Sequence, residues 1–516
     1  MSMEKSLKTI ILVGLFATLF TPLVVTNSLF FPFITGKAFF FRIIVEIIFA
    51  AWLLLVLKNR HYLPRPTTLL WALLALVGVV TLATIFSLDP ARSFWSNFER
   101  MEGLLSYLHL LAYFLVLSAM LRSEKLWWWF LNTSIFVSLI VCLYSVVQLS
   151  GGAVIHQGGG RVDATLGNAI YLAVYLLIHL FLSALLWYRT KSRSARVFYI
   201  LVLVLQAIIL YYTATRGTIL GLIFGLLVTL ILLSVLAKNQ PRLRRFSLGI
   251  LLVLLILGGS FFLARDSQLV QRSPVLSRFA NISLADGTVE SRFGLWRMSF
   301  EGFKEQPLLG WGPENFNLVF AKYYQPQFWK QEPWFDRSHN IFFDWLTSAG
   351  LLGLLSYLSL FVVALIYLWR SGQRFSTLEQ ALLSGLLVAY FFHNIFVFDN
   401  LVSYLLFLIV LAYIQFRHLE STKTEVGLAT IRTISWHWLL PMTILIIGLL
   451  GGSLYYFNLK PILANQALIK GRTGGTVGDR FNNFQRALAF RTLGLEEARE
   501  QLLGFAWQVI AEPQLA

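Results

Sequence analysis

Apolar runs long enough to cross a bilayer recur along almost the whole of this 516-residue chain, and no other feature restricts its fold so tightly. A span needs roughly 20 mostly apolar residues, and inside lipid every backbone polar group must find its partner within the protein. On that ruler about 13 spans fit, near 9–25, 38–57, 67–86, 104–121, 127–149, 166–187, 197–213, 217–237, 246–264, 341–369, 378–398, 400–416 and 437–457. The expected fold is therefore all-α: a polytopic transmembrane helical bundle of about 12–13 spans with one large loop and a helical tail. Apolar residues make up 57% of the chain and charged residues only 13%, which sets it apart from a soluble domain or a disordered chain.

The net charge of +17 has an ordinary source and a residue. With the N-terminus (Lys5, Lys8) in the cytoplasm, the positive-inside rule gathers Lys58/Arg60/Arg65, Arg122/Lys125, Arg189/Lys191/Arg193/Arg196, Lys238/Arg242/Arg244/Arg245, Arg370/Arg374 and Arg417/Lys423/Arg432 on the inner side. The short outer loops keep few basic residues, such as Lys37, Arg92, Arg100, Arg161 and Arg216. A second basic population remains in the long outer loop and in the tail, and it invites an anionic ligand. Nucleic acid is not expected, because this face is extracytoplasmic. The expectation is a multi-pass membrane protein, N-terminus in the cytoplasm and C-terminus outside. It has a membrane domain over 1–457, a large extracytoplasmic loop over 265–338 inserted in it, and an external helical tail over 458–516. The first apolar segment is long and lacks a small-residue cleavage site, so it reads as an uncleaved span. The single cysteine, Cys142, excludes an intrachain disulfide and a cysteine metal site.

Several outer segments carry residues of interest. Arg42 and Glu46 stand four apart within a span, where two readings hold: a structural ion pair with Arg42 reaching the interface, or a functional pair. Between Ser87 and Gly103, Trp95 and Phe98 suit an interfacial belt, and Arg92, Glu99 and Arg100 form either a solvated rim or a ligand contact. The Gly-rich loop before Arg161 lacks the Lys-Ser/Thr of a phosphate-binding loop. In Thr213-Ala-Thr-Arg216-Gly217 two spans meet almost directly. Arg216 is either a snorkelling cation or one aimed at an anionic head group. In the large loop, Glu290 to Lys304 reads as a helix with Phe293, Trp296, Phe300 and Phe303 on an interfacial apolar face. In the tail, alanines recur at helical spacing and Phe484-Gln-Arg-Ala-Leu-Ala resembles part of a tetratricopeptide-type helix pair.

The polar run Asp336-Arg337-Ser338-His339-Asn340 ends the large loop, and an apolar helix carrying Gly350 and Gly353 starts at once. No outer segment shows carboxylates at metal-ligand spacing, a nucleophile elbow or clustered histidines, so neither a metal nor another cofactor is expected. What the outer face does carry is a histidine at the end of the large loop and several arginines. Histidine takes a proton from an incoming hydroxyl, and arginines hold a phosphate or pyrophosphate leaving group by bidentate hydrogen bonds. The alternative for His339 is a loop histidine satisfied by a nearby carbonyl, with His393-Asn394 as the next candidate. Asn340 orients His339, caps the helix, or does both.

His339-Asn340 followed by Gly350-Leu-Leu-Gly353 resembles the signature of the O-antigen ligase and polymerase superfamily. Arg216 in Thr-Arg-Gly, Arg292 with Trp296, Gly310-Trp-Gly312, Arg161 to Asn168, and Ser93-Phe-Trp with Arg100 and Gly103 resemble its other motifs in the same order. The resemblance implies a glycosyltransferase that moves a glycan, without metal and with inversion, from an undecaprenyl-pyrophosphate donor to a glycan, lipid or protein acceptor at the membrane. It implies His339 as base, Arg216 and Arg292 as the grip on the pyrophosphate, and Arg161, Arg100, Arg337 and Asn340 as further substrate contacts. A lipid-linked glycan polymerase of the same superfamily and a polytopic transporter of small anions are the alternatives. A transporter calls for broken or charged helices at the bilayer midplane.

Overall fold

A computed structural model describes residues 3–158, 160–282, 287–330, 334–420 and 436–511. The described residues are 78% helix, and no strand occurs among them. Among them 10 helices are long and apolar enough to cross a membrane. Each remaining expected span also coincides with a helix, Met3–Thr18, Leu104–Met120 or Thr377–Asn394, that falls short of that standard. The fold is a polytopic helical bundle, as the apolar periodicity requires. Gly159, Lys423 and Arg432 lie outside the described residues.

The chain forms two compact units, 1–66 with 89–122 and 424–516, and 67–88 with 123–423. In the second unit Ala169–Arg189 is apolar on every side and mostly buried, as expected of a helix surrounded by others. Arg216–Leu236 packs closely on Thr377–Asn394 because glycines face the contact: a Cβ at Gly221 would stand 2.8 Å from the Ala389 carbonyl oxygen. Small residues let membrane helices approach in this way. The approach seats the start of Arg216–Leu236 beside the end of Thr377–Asn394, with His393 Nδ1 at 2.8 Å from the Thr218 hydroxyl. Buried between helices in that contact, His393 is a core histidine.

The large loop has its own core of Leu295, Met298, Trp311, Phe316, Val319, Phe320, Phe328 and Phe335. Its helix, Gly287–Glu305, buries Leu295 and Met298, while Phe293 and Phe300 of the expected apolar face are exposed. The return helix, Ile341–Arg370, is broken at Gly350, whose φ of 65° and ψ of −164° are not helical. Loop backbone closes the break: Trp311 N–H donates to the Thr347 carbonyl at 2.7 Å and Leu351 N–H to the Pro307 carbonyl at 2.8 Å. Gly310, at φ 65°, lies against the same stretch, where a Cβ would stand 2.8 Å from the amide nitrogens of Ala349 and Gly350. Only glycine tolerates both the left-handed backbone and that approach. Trp345 and Tyr357 stack across the break with ring centroids 5.3 Å apart.

In the first unit, His437–Thr473 is one continuous helix with a π-helical stretch at Leu454–Leu459. Asn458, the expected first residue of the tail, is therefore buried inside a helix. Val477–Ala489 and Leu495–Ala511 follow, burying Ala487, Ala498, Phe484 and Phe505. Within this unit the tail docks on the loops. Phe30 N–H donates to Asn465 Oδ1 at 2.5 Å, Arg92 pairs with Glu496 at 2.6 Å, and Phe98 N–H donates to Glu497 Oε1 at 2.5 Å. Trp95 packs on Phe457 with centroids 5.7 Å apart, and Phe98 is buried. Phe98 seats against the tail because Gly494 leaves room for its ring.

Candidate functional site

The site is built where three connections of the second unit end. The first is the Gly-rich loop. Its Asp163 is buried and accepts from Gln148 Nε2 at 2.7 Å and from the His156 amide at 2.9 Å, and Gln148 in turn accepts from the Ala164 amide at 2.9 Å. This frame presents Arg161, whose Nε donates to the Thr213 carbonyl at 2.9 Å and Nη2 to the Thr215 hydroxyl at 3.0 Å. Arg161 is thereby fastened to the residues just before Arg216, the first residue of Arg216–Leu236. Arg161 is pushed down to about 10, by burial first and then by the positive charges of Arg278 and Arg216. The guanidinium of Arg161 thus feels two further positive charges, an arrangement that an anion stabilises.

Sequence reading passes over Arg278. It sits on the five-residue helix Leu276–Ala280, which has no periodic signal of its own. The Ser273 hydroxyl, 3.2 Å from the Tyr211 hydroxyl, brings that stretch to the Arg161 anchor.

The second connection is the end of the large loop. His339 is half-buried and holds φ at 53°, a left-handed conformation unusual for a residue with a β-carbon. Its ring lies between Phe335 at 5.9 Å and Phe398 at 5.3 Å. Asn340 is the N-cap of the return helix: its side chain accepts from the amides of Phe342 at 2.9 Å and Phe343 at 3.3 Å. Arg337 is buried between two carboxylates, donating to Asp344 Oδ2 at 2.8 Å and pairing closely with Glu314, with Phe398 beneath its guanidinium. Its charge thus ties the loop to the first turn of the return helix. Arg292 is half-buried on the loop helix, one turn before Trp296, which stacks on Phe343 at 5.8 Å.

The third connection is the turn at 395–400. Phe398 faces the His339 ring, and Phe396 faces Gly217, where a Cβ would stand 3.2 Å from Phe396 Cβ. One short turn therefore touches the neighbour of Arg216 and the face of His339. Asp399 clamps it, accepting from the hydroxyls of Tyr357 at 3.1 Å and Ser403 at 2.9 Å, from Asn394 Nδ2 at 3.2 Å and from Tyr390. Phe398 and Asp399 carry no motif; only the packed turn reveals them. Arg100, in the first unit, pairs with Glu99 at 3.3 Å. The Gly350 break, which a transporter would use to bind cargo, is occupied by loop backbone.

The fold and these residues define a multi-pass helical membrane protein with clustered arginines and a strained histidine at its loop ends. A family model described as O-antigen ligase matches residues 201–358, a stretch that holds Arg216, Arg278, Arg292, Arg337, His339 and the Gly350 break, and the match supports the O-antigen ligase superfamily for this chain. No curated protein matches it. The match and the apolar helices support, in general terms, ligase- or polymerase-type function in polysaccharide biosynthesis, with lipid-linked glycan and acceptor as partners, at the bacterial inner membrane.

Proposed function

We propose that the chain transfers a glycan from an undecaprenyl-pyrophosphate donor to an acceptor hydroxyl on the extracytoplasmic face, with inversion at the anomeric carbon. His339 takes the acceptor proton as the acceptor oxygen attacks the anomeric carbon. The bond from that carbon to the pyrophosphate oxygen breaks, and undecaprenyl pyrophosphate leaves with the electron pair. Arg161, Arg216 and Arg278 neutralise the leaving charge, with Arg292 reaching from the loop helix. Attack from one face and departure from the other require a base and a cationic grip on opposite sides of the anomeric carbon. The observation that carries this reading is the 395–400 turn, which has His339 on one side through Phe398 and the start of the Arg216 helix on the other through Phe396.

The test is transfer in proteoliposomes supplied with lipid-linked glycan and acceptor. His339→Ala is expected to lower the rate by about 10²–10⁴-fold with helix content unchanged. Undiminished transfer would sink the assignment. A single addition per acceptor is expected; a ladder of lengthening products makes the chain a polymerase.

A further inference from the structure

A buried polar cluster in the first unit plays no part in that reading. Glu46 and Arg42 lie on Thr35–Lys58 with exposures of 9% and 1%, and Asn458, on the π-helical stretch, has 1%. Spacing alone pairs Arg42 with Glu46, yet among the described residues they form no ion pair. Arg42 Nη2 donates to the Met101 carbonyl at 3.0 Å and to the Ser106 hydroxyl at 2.7 Å. Glu46 Oε1 meets His109 Nε2 at 2.9 Å and accepts from Asn458 Nδ2 at 2.8 Å.

The hydrogen-bond pattern counts the protons. His109 Nδ1 stands 2.7 Å from the Leu105 carbonyl oxygen, which can only accept, so Nδ1 carries a hydrogen. A neutral ring would then turn the Nε2 lone pair toward a carboxylate oxygen. That contact is attractive only with one more hydrogen between the two atoms. Imidazole is the stronger base of the two groups, so the hydrogen belongs on Nε2. Three further buried atoms have no partner among the described residues: Arg42 Nη1, Glu46 Oε2 and Asn458 Oδ1. One donor and two acceptors are the complement of a single water, which accepts once and donates twice.

We propose that this cluster is a proton-binding site within the apolar helices of the first unit. Glu46 and His109 share one proton, and an internal water joins Arg42, Glu46 and Asn458. Binding adds a solvent proton to Nε2; release returns it to water and leaves the Glu46 carboxylate facing a bare Nε2. Asn458 reads the change, because its amide bonds Glu46 from a π-helical stretch, a local unwinding frequent at functional sites.

The surrounding charges are few. Lys37, on the same helix, donates to the Val24 carbonyl at 2.8 Å, and Glu102 follows the Met101 that Arg42 uses. Leu104–Met120 adds the buried Tyr107 and Tyr113, the latter at 3.4 Å from the Thr18 hydroxyl. Met3–Thr18 buries only Leu7, Ile11, Leu15 and Thr18, and its Glu4 and Lys8 pair with each other at 2.9 Å. Lys58, Arg60, His61 and Tyr62 lie at the far end of Thr35–Lys58, Thr21–Leu23 carries no titratable group, Trp436–Ser453 holds only His437, and Tyr455 and Tyr456 of the π stretch are exposed.

Solid-state nitrogen NMR of the full chain in bilayers, with labelled histidine rings and leucine carbonyls, tests the proposal. The Nδ1 coupling to the Leu105 carbonyl identifies His109 in the unaltered protein. The expected result is a His109 ring with hydrogens on both nitrogens in the unaltered protein, with the Nε2–H signal lost in Glu46→Gln. A neutral ring at neutral pH in the unaltered protein overturns the proposal, whether or not the variant folds, and so does an imidazolium that Glu46→Gln leaves unchanged. The readout needs no glycan transfer, so it stands or falls apart from the role of His339.

Discussion

Arg337 changes meaning once its neighbours are known. In the sequence it is one of several cations beside His339; in the fold it is buried between Glu314 and Asp344. Removing one partner of a buried ion cluster strands the others without compensation, at a cost of about 3–5 kcal/mol. Arg337→Met is therefore expected to lower the thermal unfolding midpoint in detergent sharply, and Glu314→Gln with Asp344→Asn to recover much of the loss. An unchanged midpoint in Arg337→Met would refute the structural role. Asn340 shows the opposite case. Its capping bonds reach only the next two amides beyond Ile341, so the role is legible from its place before an apolar run. The partners of Arg337 lie 23 and 7 residues away, and no local pattern announces them.

At the scale of elements, the return helix is the part that the apolar pattern could not resolve. Its hydropathy is continuous from Ile341 to Arg370, so it reads as one span. Yet Gly350 breaks it, and the segment around Gly310 supplies the missing hydrogen bonds. The break makes the loop and the helix one piece. Gly350→Ala forces a β-carbon into a backbone conformation essentially open to glycine alone, costing about 1–3 kcal/mol before its contact with Leu308 is counted. The expected outcome is a lowered unfolding midpoint, faster proteolysis near 307–312 and reduced glycan transfer. Gly448→Ala, which meets nothing within 4 Å, serves as the neutral control. Equal behaviour of the two variants would dismiss the break as a structural device.

Across the molecule, the tail of the first unit is a docked part of that unit. Glu497 accepts the Phe98 amide, yet burial outweighs that bond and raises its carboxyl above the ordinary 4.5. A carboxyl whose folded value exceeds its unfolded one stabilises fully below the unfolded value, and that contribution is lost as pH rises through the folded value. Glu497→Gln keeps an acceptor without the charge. Its unfolding midpoint relative to the unaltered protein is expected to climb as pH rises above about 4.5. A difference that stays constant with pH would contradict the assignment.

The sequence by itself determined the helical, membrane-crossing character of this protein, because the bilayer leaves an apolar run of sufficient length no other way to satisfy its backbone. It also determined where the long loop falls, where Asn340 starts a helix, and which histidine stands at the loop's end. Tertiary structure alone decided which charges pair: Arg337 with Glu314 and Asp344, and Glu46 with His109 rather than with Arg42 four residues away. Periodicity is a property of neighbours along a helix and survives in the sequence. Pairing of buried charges depends on which helices touch and at what height, and that is settled only when glycine-lined contacts and a broken helix bring distant segments within hydrogen-bond reach.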